Sequence, residues 1–124
     1  MSDPFALVTG TTGFIAARLV PALLADGFRV RATGRRPRPD DLPDEVEYQP
    51  ADLVADDLGP LCAGVTHVFH LAGASSSKSS QEEMERDNID ATARLLDAAG
   101  ARGGLERFLH MSSTSIYGEE KQLP

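Results

Sequence analysis

The stretch VTGTTGFIAARL, residues 8–19, decides how this chain is read. It opens at the end of a short apolar run, FALVT (5–9), closed by Gly10. Such a run reads as a strand buried on both faces. From Gly13 a helical pattern begins, with Ile15, Leu19 and Leu23 on one face and Val20 and Leu24 beside them. Asp26-Gly27 ends that helix, and Pro21 inside it predicts a slight kink.

A strand, a glycine turn and a helix in immediate succession form the context in which a phosphate group is held. Gly10 permits the tight turn, and Gly13 lets a pyrophosphate approach the backbone where a Cβ would stand in the way. Ala16 takes a third position that asks only for close helix–sheet packing. The helix N-terminus offers free N–H groups and a partial positive charge. Gly10, Thr12, Gly13, Phe14 and Ile15 are therefore the contact candidates of this turn for a dinucleotide. An ordinary strand-to-helix turn is the competing reading.

Working outward, FRVRAT (28–33) alternates and reads as a second strand, and VEYQP (46–50) as a short third. The loop GRRPRPDDLPDE (34–45) between them is rich in proline and charge. Residues 54–63 suit a short helix. HVFHLAG (67–73) is a fourth buried strand, ASSSKSS (74–80) a polar loop, and LERFLHMS (105–112) a fifth strand. A long helix is expected from about Ser80 to Arg102, with Ala91, Leu95 and Ala99 at helical spacing and Met84 and Leu96 adjoining. Apolar strands alternating with helical crossovers predict an α/β doubly wound parallel sheet with helices on both faces. The expected order is 3-2-1-4-5, with a ligand at the switch point between strands 1 and 4. No internal repeat or domain boundary is visible, so residues 1–124 read as one domain.

Composition limits the partners. The chain has 124 residues, 41% hydrophobic and 25% charged, with 19 acidic against 12 basic residues and a net charge of −7. A nucleic-acid backbone would be repelled. A single cysteine, Cys62, excludes an intrachain disulfide. Neither a signal-peptide pattern nor a membrane-length apolar run is present, so a cytoplasmic location is the default expectation.

Beyond these residue-level readings, VTGTTGFIA resembles the Gly-x-x-Gly-x-x-Gly signature of extended short-chain dehydrogenases/reductases, the NAD(P)-dependent epimerase/dehydratase family, with alanine replacing the third glycine. The resemblance continues in order. ADL (51–53) is similar to the acid-apolar pair that meets adenine, which assigns Asp52 and Leu53. VTHVFHLAGAS is similar to the strand-4 segment beside the cofactor, which assigns Leu71, Ala72 and Gly73. DNIDATARLLDAA is similar to the helix carrying a structural asparagine, here Asn88. FLHMSSTSIYGE is similar to the segment carrying the active-site Ser or Thr, here Ser113, with Ser112 the neighbouring candidate. The resemblance implies a Rossmann fold and hydride transfer between a nicotinamide and an alcohol or ketone carbon of a sugar nucleotide or small ketone. It covers only the N-terminal portion of such a protein. A non-catalytic dinucleotide-binding module, sensor or subunit, is the alternative.

Each residue also has a plainer reading. Asp52 is a loop carboxylate or helix cap, Leu71 strand core, and Asn88 an exposed helix residue. Strand 2 ends in RATGRRP, without the carboxylate that binds ribose hydroxyls in NAD proteins. Gly34 stands in that position and Arg35 follows, so NADP is expected over NAD, with Arg35 clamping a 2′-phosphate. Arg35, Arg36 and Arg38 read alternatively as a solvated basic loop. His70 and His110 fall to adjacent strands, but no further pair stands at ligand spacing, so no metal is expected. Tyr117 and Lys121 stand four apart, yet Gly118 and Pro124 disfavour the helix that would align them. The family's proton-transfer Tyr-x-x-x-Lys lies further downstream than this sequence extends. Strand 5, left as an apolar edge, is expected to promote association.

Overall fold

The computed structural model describes residues 3–73, 80–101 and 103–112. Its strands are β1 (Phe5–Thr9), β2 (Arg29–Thr33), β3 (Glu47–Tyr48), β4 (His67–His70) and β5 (Arg107–His110), all parallel, in the order β3-β2-β1-β4-β5. The topology is the expected one, with the order reversing between β1 and β4.

The side chains of β1 alternate between two cores. Ala6 and Val8 pack with Ala16, Val20 and Leu23 of α1 (Phe14–Ala25) and with Val30 and Ala32 of β2. Phe5 and Leu7 pack on the other face with Leu61 and Cys62 of α2 (Gly59–Cys62) and with Val68. Ala91, Leu95 and Ala99 of α4 (Ala91–Ala101) complete that second core, as their spacing predicts. Helices thus cover both faces of the sheet, which keeps β1 free of water throughout its length.

The buried stripe of α1 is rotated from the expected one. Ala16, Val20 and Leu23 face the sheet, Leu19 and Leu24 flank them, and Ile15 is 44% exposed. The small side chain of Ala16 lets the helix sit close to the sheet, whereas Ile15 in that place would hold it off. Pro21 is carried inside α1, which continues to Ala25.

Several elements are shorter than their sequence patterns suggest. β4 stops at His70 because the N–H groups of Leu71 and Ala72 both donate to the Thr9 hydroxyl, each at 3.0 Å, rather than to a strand ladder. β3 keeps only Glu47 and Tyr48, and the helix expected over 54–63 only its last turn. The long helix begins at α3 (Gln81–Met84), where the Ser80 side chain accepts from the Glu83 N–H. It then widens into a π-helical segment, Glu85–Asp90, before α4. Such insertions are frequent at functional sites.

β2 is buried on both faces beyond its first residue: Arg31 is 7% exposed and its face is covered by α2. β5 is the reverse, with Leu109 exposed and only Phe108 packed against the core. Among the described residues no helix is long and apolar enough to cross a membrane.

Candidate functional site

At the carboxyl ends of β1, β2 and β4 lies an open cleft of about 460 Å³, within the usual size range of small-molecule sites. One wall is the glycine turn. Gly10 has φ +73°, and a Cβ there would lie 2.8 Å from the backbone of Leu71 and Ala72. Gly10 therefore serves two purposes, the bend and the close approach of the β4 end. Gly13 caps α1 without a side-chain hydrogen bond, and the first turn of α1 holds no acidic residue. Among the described residues no side chain caps the positive end of this twelve-residue helix. α3 is treated oppositely, with its Ser80 cap and the acids Glu82 and Glu83.

The second wall is the end of β2. A Cβ on Gly34 would lie 2.9 Å from the Tyr48 hydroxyl and 3.4 Å from Thr11 Oγ1. That hydroxyl is fixed by donating to the Arg36 carbonyl at 2.6 Å, and burial raises its pKa. Arg35 and Arg36 line the cleft. Arg38 does not: it donates to the carbonyls of Val46 and Pro43, both at 2.7 Å, and holds its own loop together.

The third wall joins the residues after β3 to the π-helical segment. Asp52 Oδ1 accepts from the N–H groups of Val54 (2.9 Å) and Ala55 (3.2 Å), closing a turn after β3 rather than capping a helix, since α2 starts only at Gly59. Its Oδ2 accepts from Arg86 at 2.7 Å. The Arg86 hydrogen bond, followed by that from Val54, holds the Asp52 carboxyl below its ordinary pKa. Leu53 is buried beside it.

The fourth wall is Leu71, Ala72 and Gly73. Gly73 abuts the helix, since a Cβ on it would lie 2.7 Å from Asn88 Oδ1. Asn88 stands behind the cleft rather than in it.

One chain of hydrogen bonds secures these walls. Thr9 Oγ1 accepts from Leu71 and Ala72 and lies 2.8 Å from His70 Nδ1. With both lone pairs used, the threonine O–H donates to Nδ1. His70 Nε2–H then donates to Thr92 Oγ1 (2.9 Å), whose own hydroxyl donates to the Asn88 carbonyl (2.9 Å). Both ring nitrogens are thus engaged within the protein, which argues against His70 as a metal ligand. His110 pairs with His70 in register, their rings 5.6 Å apart.

Burial, with a smaller contribution from His110, lowers the His70 pKa from 6.5 to about 4. The unfolded chain therefore binds more protons between those values, and stability is lost as pH falls through that window. About 2 kcal/mol should disappear between pH 7 and pH 5. Urea denaturation of the wild type and His70→Asn at several pH values tests this. The variant should lose most of that pH slope, and an unchanged slope would refute the assignment.

The structure brings Gly10, Thr12, Gly13, Arg35, Asp52, Leu53, Leu71, Ala72 and Gly73 to one cleft. Phe14, 77% exposed, and Ile15 lie outside its lining, with the Arg18 guanidinium over the Phe14 ring. Ser113, Tyr117, Lys121 and loop residues 74–79 lie outside the described residues. Thr9, Thr11, Tyr48, Arg86 and Asp87 were not legible as site residues. Arg86 and Asp87 read as an ordinary charged helix surface until the π-helical turn places them in the cleft.

Similarity to known proteins agrees with this geometry. The chain is 37% identical over 131 residues to UDP-glucose 4-epimerase of Mycolicibacterium smegmatis, covering 95% of this chain and 42% of that protein. It is 33% identical over 132 residues to dihydroflavonol 4-reductase of Zea mays, covering 95% and 37% respectively. The fold superimposes on MoeE5 in complex with UDP-glucose and NAD with a TM-score of 0.79 and 35% identity, over 96% of this chain and 42% of that one. The chain therefore spans less than half the length of these relatives. A model of the NAD dependent epimerase/dehydratase family matches residues 6–124, and the chain belongs to that family.

Proposed function

We propose that the chain is the dinucleotide-binding part of an NAD(P)-dependent epimerase, dehydratase or reductase, with NADP preferred over NAD. The observation that carries the reading is the N-terminus of α1, acid-free and without a side-chain cap among the described residues, behind the glycine turn of the cleft. Oriented N–H groups and a helix dipole that no described side chain caps suit a pyrophosphate. The nicotinamide supplies or takes the hydride. Gly10, Thr12 and Gly13 hold the phosphates, Asp52 and Leu53 meet the adenine, and Leu71 to Gly73 flank the cofactor. Ser113 is assigned to the substrate oxygen by family resemblance, and the substrate class is a sugar nucleotide or a small ketone.

The end of β2 supports the cofactor preference. A Cβ on residue 34 would lie 2.9 Å from the Tyr48 hydroxyl, so a ribose-binding carboxylate there requires the tyrosine to give way. Arg35, lining the cleft and 62% exposed in its side chain, is available to a 2′-phosphate instead. Calorimetric titration with NADP+ and NAD+ tests both parts. Arg35→Ala should weaken NADP+ by about 10–100-fold, the worth of a charge-assisted contact, and leave NAD+ little changed. Equal affinity for the two dinucleotides, or NADP+ binding indifferent to Arg35→Ala, would overturn the preference. Binding of neither would overturn the whole reading.

A further inference from the structure

Four charged side chains form one line along the cleft. Asp52 Oδ2 lies 2.7 Å from Arg86 Nη2, Arg86 Nη1 lies 3.2 Å from Asp87 Oδ1, and Asp87 Oδ2 lies 3.8 Å from Arg35 Nη2. The line joins the end of β2, the turn after β3 and the π-helical segment. Its links are unequal. Asp52 is tied down by two backbone N–H groups as well as by Arg86, so that carboxylate is not available for exchange. Asp87 is held by Arg86 on one oxygen and reaches Arg35 with the other, over a long contact to an exposed guanidinium. A long, exposed ion pair is weak and readily replaced.

We infer that Asp87 is a specificity-determining residue, a carboxylate built into the cleft that competes with a ligand phosphate for Arg35. This rests on the cofactor reading above. A 2′-phosphate carries more charge than a carboxylate and offers the guanidinium paired acceptors, so it displaces Asp87. Displacement does not remove the carboxylate. Asp87 remains fastened to Arg86 within the same cleft and repels the incoming phosphate. A nucleotide with an unmodified ribose carries no charge there and neither loses nor gains by the exchange. Asp87 thus narrows the gap between the two cofactors, setting the NADP preference below what Arg35 alone would give.

The test is calorimetric titration of the chain with NADP+ and NAD+ for the wild type, Asp87→Asn, Arg35→Ala and the double variant. Asp87→Ser serves as a second charge-removing variant, and thermal melts check folding. Asp87→Asn should tighten NADP+ by about 3–10-fold and change NAD+ by less than about twofold. The gain should shrink in 0.5 M salt, where exposed charges are screened. It should also fall to less than about twofold in the Arg35→Ala background, because the competed group is gone.

If Arg35→Ala weakens NADP+ but neither Asp87 variant tightens it, the competition is refuted and the cofactor reading stands. An equal gain for both dinucleotides would reduce Asp87 to a general repulsive charge and refute its role in specificity. NADP+ binding indifferent to Arg35→Ala would remove the NADP preference and this inference with it.

Discussion

Gly10→Ala is expected to destabilise the protein by about 2–5 kcal/mol, combining the left-handed backbone penalty with overpacking against neighbouring backbone. At φ +73° an L-residue is strained wherever it sits. Here the added methyl would also lie 2.8 Å from Ala72 N and from the Leu71 carbonyl carbon. Backbone atoms cannot rotate aside as a side chain can. Relief requires the β4 end to retreat, which pulls the Leu71 and Ala72 N–H groups from Thr9 and disturbs the Thr9–His70–Thr92 chain. Gly27 is the control, with φ +88° and nothing within 4 Å of its Cβ position. Gly27→Ala should cost about 1–2 kcal/mol, the backbone penalty alone. Urea denaturation of both variants separates the two contributions. Equal costs would show that the approach of β4 to the turn is unimportant.

Arg31→Met should cost about 3 kcal/mol, although methionine nearly fills the space and suits a buried strand. The Arg31 guanidinium lies over the Phe5 ring, 4.8 Å from its centroid. Its Nη1 points at the carbonyls of Leu61 (2.6 Å), Ala63 (3.1 Å) and Pro60 (3.2 Å), and its Nε donates to Glu47. These carbonyls end α2, which has no basic residue in its own last turn. One side chain from β2 therefore caps a helix that is remote in sequence. Methionine keeps the apolar contact but takes the donor from the buried Leu61 carbonyl, while the Pro60 carbonyl still accepts from Ala63 N–H. Glu47 is half-exposed and regains water, so most of the cost lies in the helix end. Arg31→Lys keeps the charge but lacks the planar fork, and should fall between the two. Chemical denaturation checks the order, wild type above lysine above methionine. A methionine variant as stable as the wild type would refute the cap.

Most of the fold was legible because its signals are local. An apolar run, two glycines and a helical stripe sit within twenty residues of one another, and parallel strands separated by crossovers admit few topologies. The Asp52 turn is local for the same reason, since a carboxylate reaches N–H groups two and three residues ahead. The Ile15 stripe misled because hydrophobicity alone does not show which face has a neighbour. Ala16 lies inward because the helix must come close, and Arg31 is buried because α2 lies over it.

The parallel sheet, its strand order, the glycine turn and the family are all readable from the amino acids in order. Each follows from spacing along the chain. It took the folded chain to show that a side chain at Gly34 would press on the Tyr48 hydroxyl, that Arg38 is spent on its own loop, and that Arg86 and Asp87 join Asp52 and Arg35 in one charged line. The reason is distance. Tyr48 lies fourteen residues from Gly34, and Arg86 lies thirty-four from Asp52. Contacts across such separations have no period or motif; they exist only once the sheet has brought its carboxyl ends together and a π-helical turn has aimed two charges into the cleft.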